Sequence, residues 1–222
     1  LSEAGMFPAS LMGLKIKEFK NLSSLIQNNK FVSSLMQNVA SIYSLNLVGV
    51  KNSVIINYDS DANYLSYWYQ QLVAESLGKK GKGITPIVSF GPKDQHSLLQ
   101  LYLDGPKDKF FTFFNFPTEK NNLTVPKEIL PKSMSFLNKK KIKFIIDSQS
   151  NSVKKIFKLK KIPYREINIK KKNEEALGNM YCFFVLETIL LSKLMGVNPF
   201  DQPAVEQVKI LTKKFLILNF SK

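Results

Sequence analysis

Hydrophobic positions along this chain follow two alternating rhythms. Residues 30–47 carry Phe31, Val32, Leu35, Met36, Val39, Ile42 and Leu45 at helical spacing, which predicts a helix. Residues 53–58 then hold Val54, Ile55 and Ile56 in an unbroken apolar run, the pattern of a buried strand. Residues 59–62 offer a turn and a cap. A helix over 62–77 follows, with Leu65, Trp68, Leu72 and Val73 on one side and Gly78 as its stop. The alternation continues with strands over 84–90, 109–116 and 164–169, and with helices over 94–103, 148–159, 173–195 and 201–216. Gly91-Pro92 and Gly105-Pro106 punctuate it. Residues 117–143, rich in Lys, Asn and Pro, are assigned no element.

Continuous apolar strands separated by helices imply a parallel sheet covered on both faces. The expected class is α/β: a doubly wound, mostly parallel sheet flanked by helices, followed by C-terminal helices. Ligands in such folds sit beyond the carboxyl ends of the strands. The loops after Tyr58, Phe90 and Phe116 are the places this singles out.

Composition changes this picture little. Hydrophobic residues make up 44% and charged residues 22% of 222 residues, enough for a buried core and unlike a disordered chain. The net charge of +15 invites a polyanion partner. The excess is nearly all lysine, however, with Arg165 the sole arginine, whereas base and phosphate readers depend on arginine's bidentate fork. The lysine runs 139–141 and 170–172 read as solvated loops and helix ends, and no nucleic-acid partner is expected. The single cysteine, Cys182, excludes an internal disulfide, reads as a buried inert thiol, and fits a reducing cytoplasm. Residues 1–6 carry no secretory pattern. The apolar run 181–197 is interrupted by Glu187, Ser192 and Lys193 and reads as too short and too charged to span a bilayer. A soluble, cytoplasmic protein without membrane contact is expected.

Three segments hold candidate chemistry. Glu75 falls in the last turn of the 62–77 helix, whose negative end disfavours a carboxylate, a setting that suits a general base. A surface glutamate paired with Lys79 one turn on explains the same residues. The glycine- and lysine-rich stretch 78–83 follows a helix and precedes a strand, the reverse of a phosphate loop, and reads as a basic turn. His96, the only histidine, falls in the first turn of the helix after the 84–90 strand, on the ligand-facing edge; a merely exposed or structural histidine fits equally. One histidine and one cysteine cannot build the usual metal centres, so no metal is expected. In the third segment Asp201 is a natural N-cap and Pro203 suits a first helical turn. Gln202 and Lys209 then share a helix face, as either a functional pair or a solvated stripe. Glu187, among Phe183, Phe184, Val185, Leu186 and Ile189, reads as a buried, partnered structural carboxylate.

Taken together these segments match one pattern. Trp-Tyr-Gln-Gln-Leu-Val-Ala-Glu-Ser-Leu-Gly-Lys (68–79), Gly-Lys-Gly-Ile-Thr-Pro (81–86), Gly-Pro-Lys-Asp-Gln-His-Ser (91–97) and Gln-Leu-Tyr-Leu-Asp-Gly-Pro (100–106) resemble the glucose-6-phosphate isomerase family. Gly-Val-Asn-Pro-Phe-Asp-Gln-Pro-Ala-Val-Glu-Gln-Val-Lys (196–209) is similar to that family's closing signature. Pro203-Ala204 stand where that signature usually has glycine.

The resemblance implies a sugar-isomerase-type α/β domain and an aldose–ketose isomerase that needs no cofactor. Glu75 would move the proton between C1 and C2, His96 and Lys209 would assist ring opening, and Gln202 would lie close to the substrate. It also implies a sugar phosphate substrate and a homodimer in which His96 reaches the partner's site. A noncatalytic sugar-phosphate-binding module of the same fold is the alternative. In the family a Gly-Gly-Arg-Phe-Ser signature shortly precedes the stretch that matches Gly5-Met6-Phe7-Pro8-Ala9 here. Residues 1–222 are therefore expected to be the C-terminal portion of a larger enzyme, with 1–30 a remnant of the interdomain segment. The arginine that stabilises the enediolate and the phosphate-binding domain would then be missing, and the piece alone would be inactive.

Overall fold

The computed structural model describes residues 2–19, 23–117 and 123–219. In chain order the elements are helices α1 (Glu3–Leu11), α2 (Ile16–Phe19), α3 (Ser23–Ile26) and α4 (Asn29–Leu47), strand β1 (Asn52–Asn57) and helix α5 (Asn63–Leu77). Strand β2 (Thr85–Phe90), helices α6 (Lys93–Ser97) and α7 (Leu99–Asp104) and strand β3 (Lys109–Asn115) follow. The chain closes with α8 (Ile142–Leu159), β4 (Tyr164–Asn168), α9 (Glu174–Met195) and α10 (Pro203–Asn219).

The strands pair in the order β2-β1-β3-β4 and every pairing is parallel. Ile55 of β1 sits opposite Val88 of β2 and Thr112 of β3. Because strand side chains alternate, each buried strand feeds two cores. Ile55, Phe110 and Phe114 join Leu35, Val39 and Ile42 of α4, Tyr69 and Val73 of α5, and Phe184 and Leu191 of α9. Val54, Ile56, Phe111 and Phe113 face Tyr102 of α7 and Val153 and Phe157 of α8. Phe111, Phe113 and Phe157 are fully buried, and each such side chain contributes about 1.5–3 kcal/mol by leaving water. The α/β doubly wound class read from the sequence is the class observed. Winding reverses between β1 and β3, which makes their carboxyl ends the switch point.

Several boundaries differ from the sequence reading. The single helix expected over 94–103 is two, because Leu98 adopts φ −124°, ψ −16° and interrupts it. Helix α8 starts at Ile142, earlier than expected, and buries Ser150, Val153 and Phe157. Residues 127–129 and 132–137 form short 3-10 turns in the segment left unassigned, and residues 118–122 of that segment lie outside the described residues. Within 1–30, read as an interdomain remnant, α1, α2 and α3 are helical and α4 begins at Asn29, while Leu1 and residues 20–22 lie outside the described residues.

Helix α9 is the longest element, and by length and composition alone it could cross a membrane, contrary to the sequence reading of its apolar run. Here it packs against the sheet side of α4 and α5, burying Phe184, Glu187, Thr188, Leu191 and Met195. It ends in a Schellman motif: Val197 N–H bonds the Ser192 carbonyl at 3.0 Å, Gly196 N–H bonds that of Lys193 at 3.2 Å, and Gly196 takes φ +65°. Cys182, on the outer side of this helix, is partly exposed rather than buried, and its partial burial still pushes the thiol's pKa up.

Glu187 is buried and partnered, as its sequence context suggests. Arg165 reaches it from β4, with Nη2 3.1 Å from Oε1 and Nη1 against Oε2. The same guanidinium donates to Thr112 Oγ1 at 2.9 Å and to Tyr69 Oη at 3.3 Å. Burial works against the arginine's charge, but Glu187 and Tyr69 outweigh it and hold its pKa above the usual value.

Candidate active site

Helix α5 runs antiparallel to the strands, so its carboxyl end lies at their amino edge. The side-chain amide of Gln70 donates to the Pro86 carbonyl, near the start of β2, at 3.1 Å. Glu75 lies further down the helix, past that edge, and is exposed. Its carboxylate accepts two amide donors, Gln71 Nε2 on Oε1 at 2.8 Å and Gln202 Nε2 on Oε2 at 2.9 Å. Gln71 stands one turn before Glu75, a relation readable from helical spacing. Gln202 comes from the far end of the chain.

Two lysines bring that far segment in. Lys79 Nζ lies 2.5 Å from the Asn198 carbonyl and 3.2 Å from Asp201 Oδ1. Its side chain is 10% exposed. Lys82 Nζ donates to the Met195 carbonyl at 2.8 Å, at the negative end of α9. The expected Glu75–Lys79 pair is therefore not formed: Lys79 turns to Asp201, and Glu75 turns to glutamine amides. Asp201 does not serve as a helix cap either, because α10 begins at Pro203 and its carboxylate is engaged by Lys79. The Lys79 hydrogen bond holds the Asp201 carboxyl below the usual aspartate range.

Lys209 lies on α10, exposed, with Nζ 2.5 Å from Glu206 Oε1 one turn away. It meets neither Glu75 nor Gln202 by any hydrogen bond or ion pair among the described residues. Every residue of α10 from Pro203 to Leu218 is exposed, including Val208, Leu211, Phe215 and Leu218.

His96 lies at the opposite edge. It is the fourth residue of the short helix α6, not the start of a long one, and it is exposed. Its neighbours hold the turn. Asp94 Oδ2 accepts from Phe90 N–H at 2.6 Å, and Gln95 Nε2 donates to Tyr58 Oη at 2.7 Å and to the Gln149 carbonyl at 3.3 Å. Burial pushes the Tyr58 phenol up to about 12, partly offset by the Gln95 hydrogen bond. Sequence reading did not find these anchors, since the partners of Asp94 and Gln95 come from other elements. At 1.5 Å per helical residue and 3.3 Å per strand residue, Glu75 and His96 are separated by roughly 20 Å along the sheet axis.

The larger grooves lie elsewhere. One of about 570 Å³ runs along β4 between α4 and α9, and one of about 670 Å³ lies between α7 and α8. Among the described residues no cluster of three or more His, Cys, Asp or Glu side chains is positioned to hold a metal ion. The lysine run at 170–172 is not wholly solvated, because Lys172 bridges Asp59 and Asp61 beyond β1 at 2.9 Å each.

No family model matches the sequence. Individual relatives do. A probable glucose-6-phosphate isomerase of Methanococcus maripaludis is 32% identical over 221 residues, covering 97% of this chain and 50% of the relative. Glucose-6-phosphate isomerase of Methanocaldococcus jannaschii is 32% identical over 216 residues, covering 92% of this chain and 52% of its own. Among solved structures, a hypothetical protein of Thermus thermophilus superimposes with a TM-score of 0.85 at 23% identity, over 97% of this chain and 54% of that one. A glucose-6-phosphate isomerase of Chlamydia trachomatis gives 0.63 at 18% identity, over 82% of this chain and 38% of its own. These two likenesses speak to the fold. The chain spans about half the length of the curated relatives it matches. Sequence similarity along nearly all of its length places the chain in the glucose-6-phosphate isomerase family, as the counterpart of about half of a member.

Proposed function

We propose that the protein to which these residues belong interconverts glucose 6-phosphate and fructose 6-phosphate through an enediol(ate), with Glu75 as the base. The observation that carries this reading is the contact between Gln202 and Glu75, which joins two signature segments 127 positions apart on one carboxylate. In the aldose-to-ketose direction the carboxylate takes the C2 proton of the open-chain sugar and the C1 carbonyl oxygen gains a proton to give the enediol; the C2 hydroxyl then gives up its proton as C2 becomes the carbonyl, and the carboxyl group returns its proton to C1. The reverse direction starts at C1. The reaction is redox-neutral overall and needs one general base, with donors or a cation beside the developing oxyanion. Gln202 is suited to hold the carboxylate and contact the sugar, and Lys209 to contact the substrate during ring opening.

The separation of Glu75 and His96 supports a shared site. Groups roughly 20 Å apart in one chain cannot act on one sugar, so His96 is proposed to open the ring in the partner's site of a homodimer. Arg165, the only arginine, is committed to Glu187 inside the fold. The arginine the enediolate role calls for is thus not among these 222 residues, and the 222-residue chain by itself is expected to show no turnover in a coupled assay. A cytoplasmic site of action belongs to the same proposal and rests on the family.

The test is Glu75→Gln in the complete natural polypeptide. Hydrogen exchange at C1 of fructose 6-phosphate into deuterium oxide should fall by at least about a thousandfold, with sugar-phosphate binding retained. Exchange at the unsubstituted rate would remove Glu75 from the mechanism. A wild-type protein that binds both sugar phosphates without exchanging either would instead be a binding module.

A further inference from the structure

We infer that Lys79 is a positioning residue for the Glu75–Gln202 couple, acting as a clamp between the end of α5 and the start of α10. The inference rests on the proposed role of Glu75 and adds a group to it. A lysine side chain laid down to 10% exposure gives up rotamer freedom, so its contacts must offset that cost. They are the Asn198 carbonyl at 2.5 Å and the Asp201 carboxylate at 3.2 Å. Both acceptors belong to residues 198–201, the stretch that immediately precedes Gln202. Asn198 Oδ1 also accepts from Phe200 N–H at 3.1 Å, which folds this stretch into a tight turn. Lys82 adds a second tie through the Met195 carbonyl.

Beyond these ties little holds the segment. Asp201, Gln202 and the following helix are exposed, and Phe200 is 78% exposed. The position of the Gln202 amide on Glu75 Oε2 therefore depends on polar links to Lys79 rather than on packing. Lys79 stands four residues after Glu75 in sequence and reaches the opposite end of the same assembly, so one side chain sets base and amide in register.

The test is a double-mutant cycle in the complete natural polypeptide, with fructose 6-phosphate as substrate. Lys79→Met and Gln202→Ala should each lower kcat about tenfold with KM changed less than about twofold. The double variant should also be about tenfold down, because the amide is already displaced. Lys79→Arg should recover most of the loss. A double variant about a hundredfold down means the two act independently and overturns the clamp, as does full kcat in Lys79→Met. If Lys79→Met does not fold, Asp201→Ala on the exposed side of the pair replaces it, with the same non-additivity against Gln202→Ala expected. Glu75→Gln measured in parallel separates the two claims: its full activity sinks the isomerase role of Glu75, whereas an inactive Glu75→Gln beside an unaffected Lys79→Met sinks only the clamp.

Discussion

Tyr69 places a phenol against Arg165 inside the core, 3.3 Å from Nη2. Burial, reinforced by the nearby Glu187 carboxylate, pushes its phenol up to about 12. An unfolded tyrosine titrates near 10, so the native state holds this proton more tightly. The resulting stability is complete below pH ~10 and is lost as pH rises through about 12. Denaturant unfolding measured from neutral to strongly alkaline pH should show wild type losing on the order of 2 kcal/mol more than a Tyr69→Phe variant, Tyr58 and the other raised tyrosines contributing equally to both. The same decline in both proteins would remove Tyr69 as its source. Beside it, Arg165→Met leaves Glu187 buried without a partner and should cost about 3–5 kcal/mol at neutral pH. The paired variant Arg165→Met with Glu187→Leu should regain much of that loss in the same melts. Glu187's structural role was legible because a carboxylate inside an apolar helix must find a cation. Lys79 was not legible: local spacing offered Glu75 one turn away, and the partner it takes comes from 122 residues further on.

At the scale of elements, the two central strands were readable because they are buried and carry short apolar runs. Val54–Ile56 in β1 is unbroken, and Phe110–Phe114 in β3 is broken only by the buried Thr112. The break at Leu98 was hidden, since Leu98, Leu99 and Tyr102 keep helical spacing across it and all face the α7–α8 side of the sheet. The helices of residues 3–19 went unread for another reason: α1 buries nothing and α2 buries only Phe19. That single anchor meets α9 at Gly178, where an added Cβ would stand 2.7 Å from the Phe19 carbonyl oxygen and 2.9 Å from its Cα. Backbone atoms cannot swing aside, so Gly178→Ala must push α2 off α9. A loss of about 1–3 kcal/mol is expected, seen as a melting temperature lower by roughly 2–12 °C. An unchanged melting temperature would show that α2 does not contribute to the stability of the domain.

Across the whole molecule, the separation of candidate groups matters more than any single contact. The resemblance groups Glu75, His96, Gln202 and Lys209 in one pattern but does not say where each stands. The fold sets Glu75 and Gln202 together at the amino edge of the sheet and His96 at the carboxyl edge. Lys209 stays apart on α10, paired with Glu206. A parallel sheet makes this division unavoidable: the helix before β2 ends at one edge, and the loop after β2 starts at the other. The central claim is therefore that a working site needs two subunits, and it can be tested by mixing. Glu75→Gln and His96→Ala forms of the complete natural polypeptide, each strongly impaired alone, would be unfolded together and refolded as one pool. If His96 serves the partner's site, each mixed dimer regains one intact site, and isomerase activity should return to about a quarter of wild type. If both groups serve the site of their own chain, the mixture will be no more active than its parts, and the two-subunit account is contradicted.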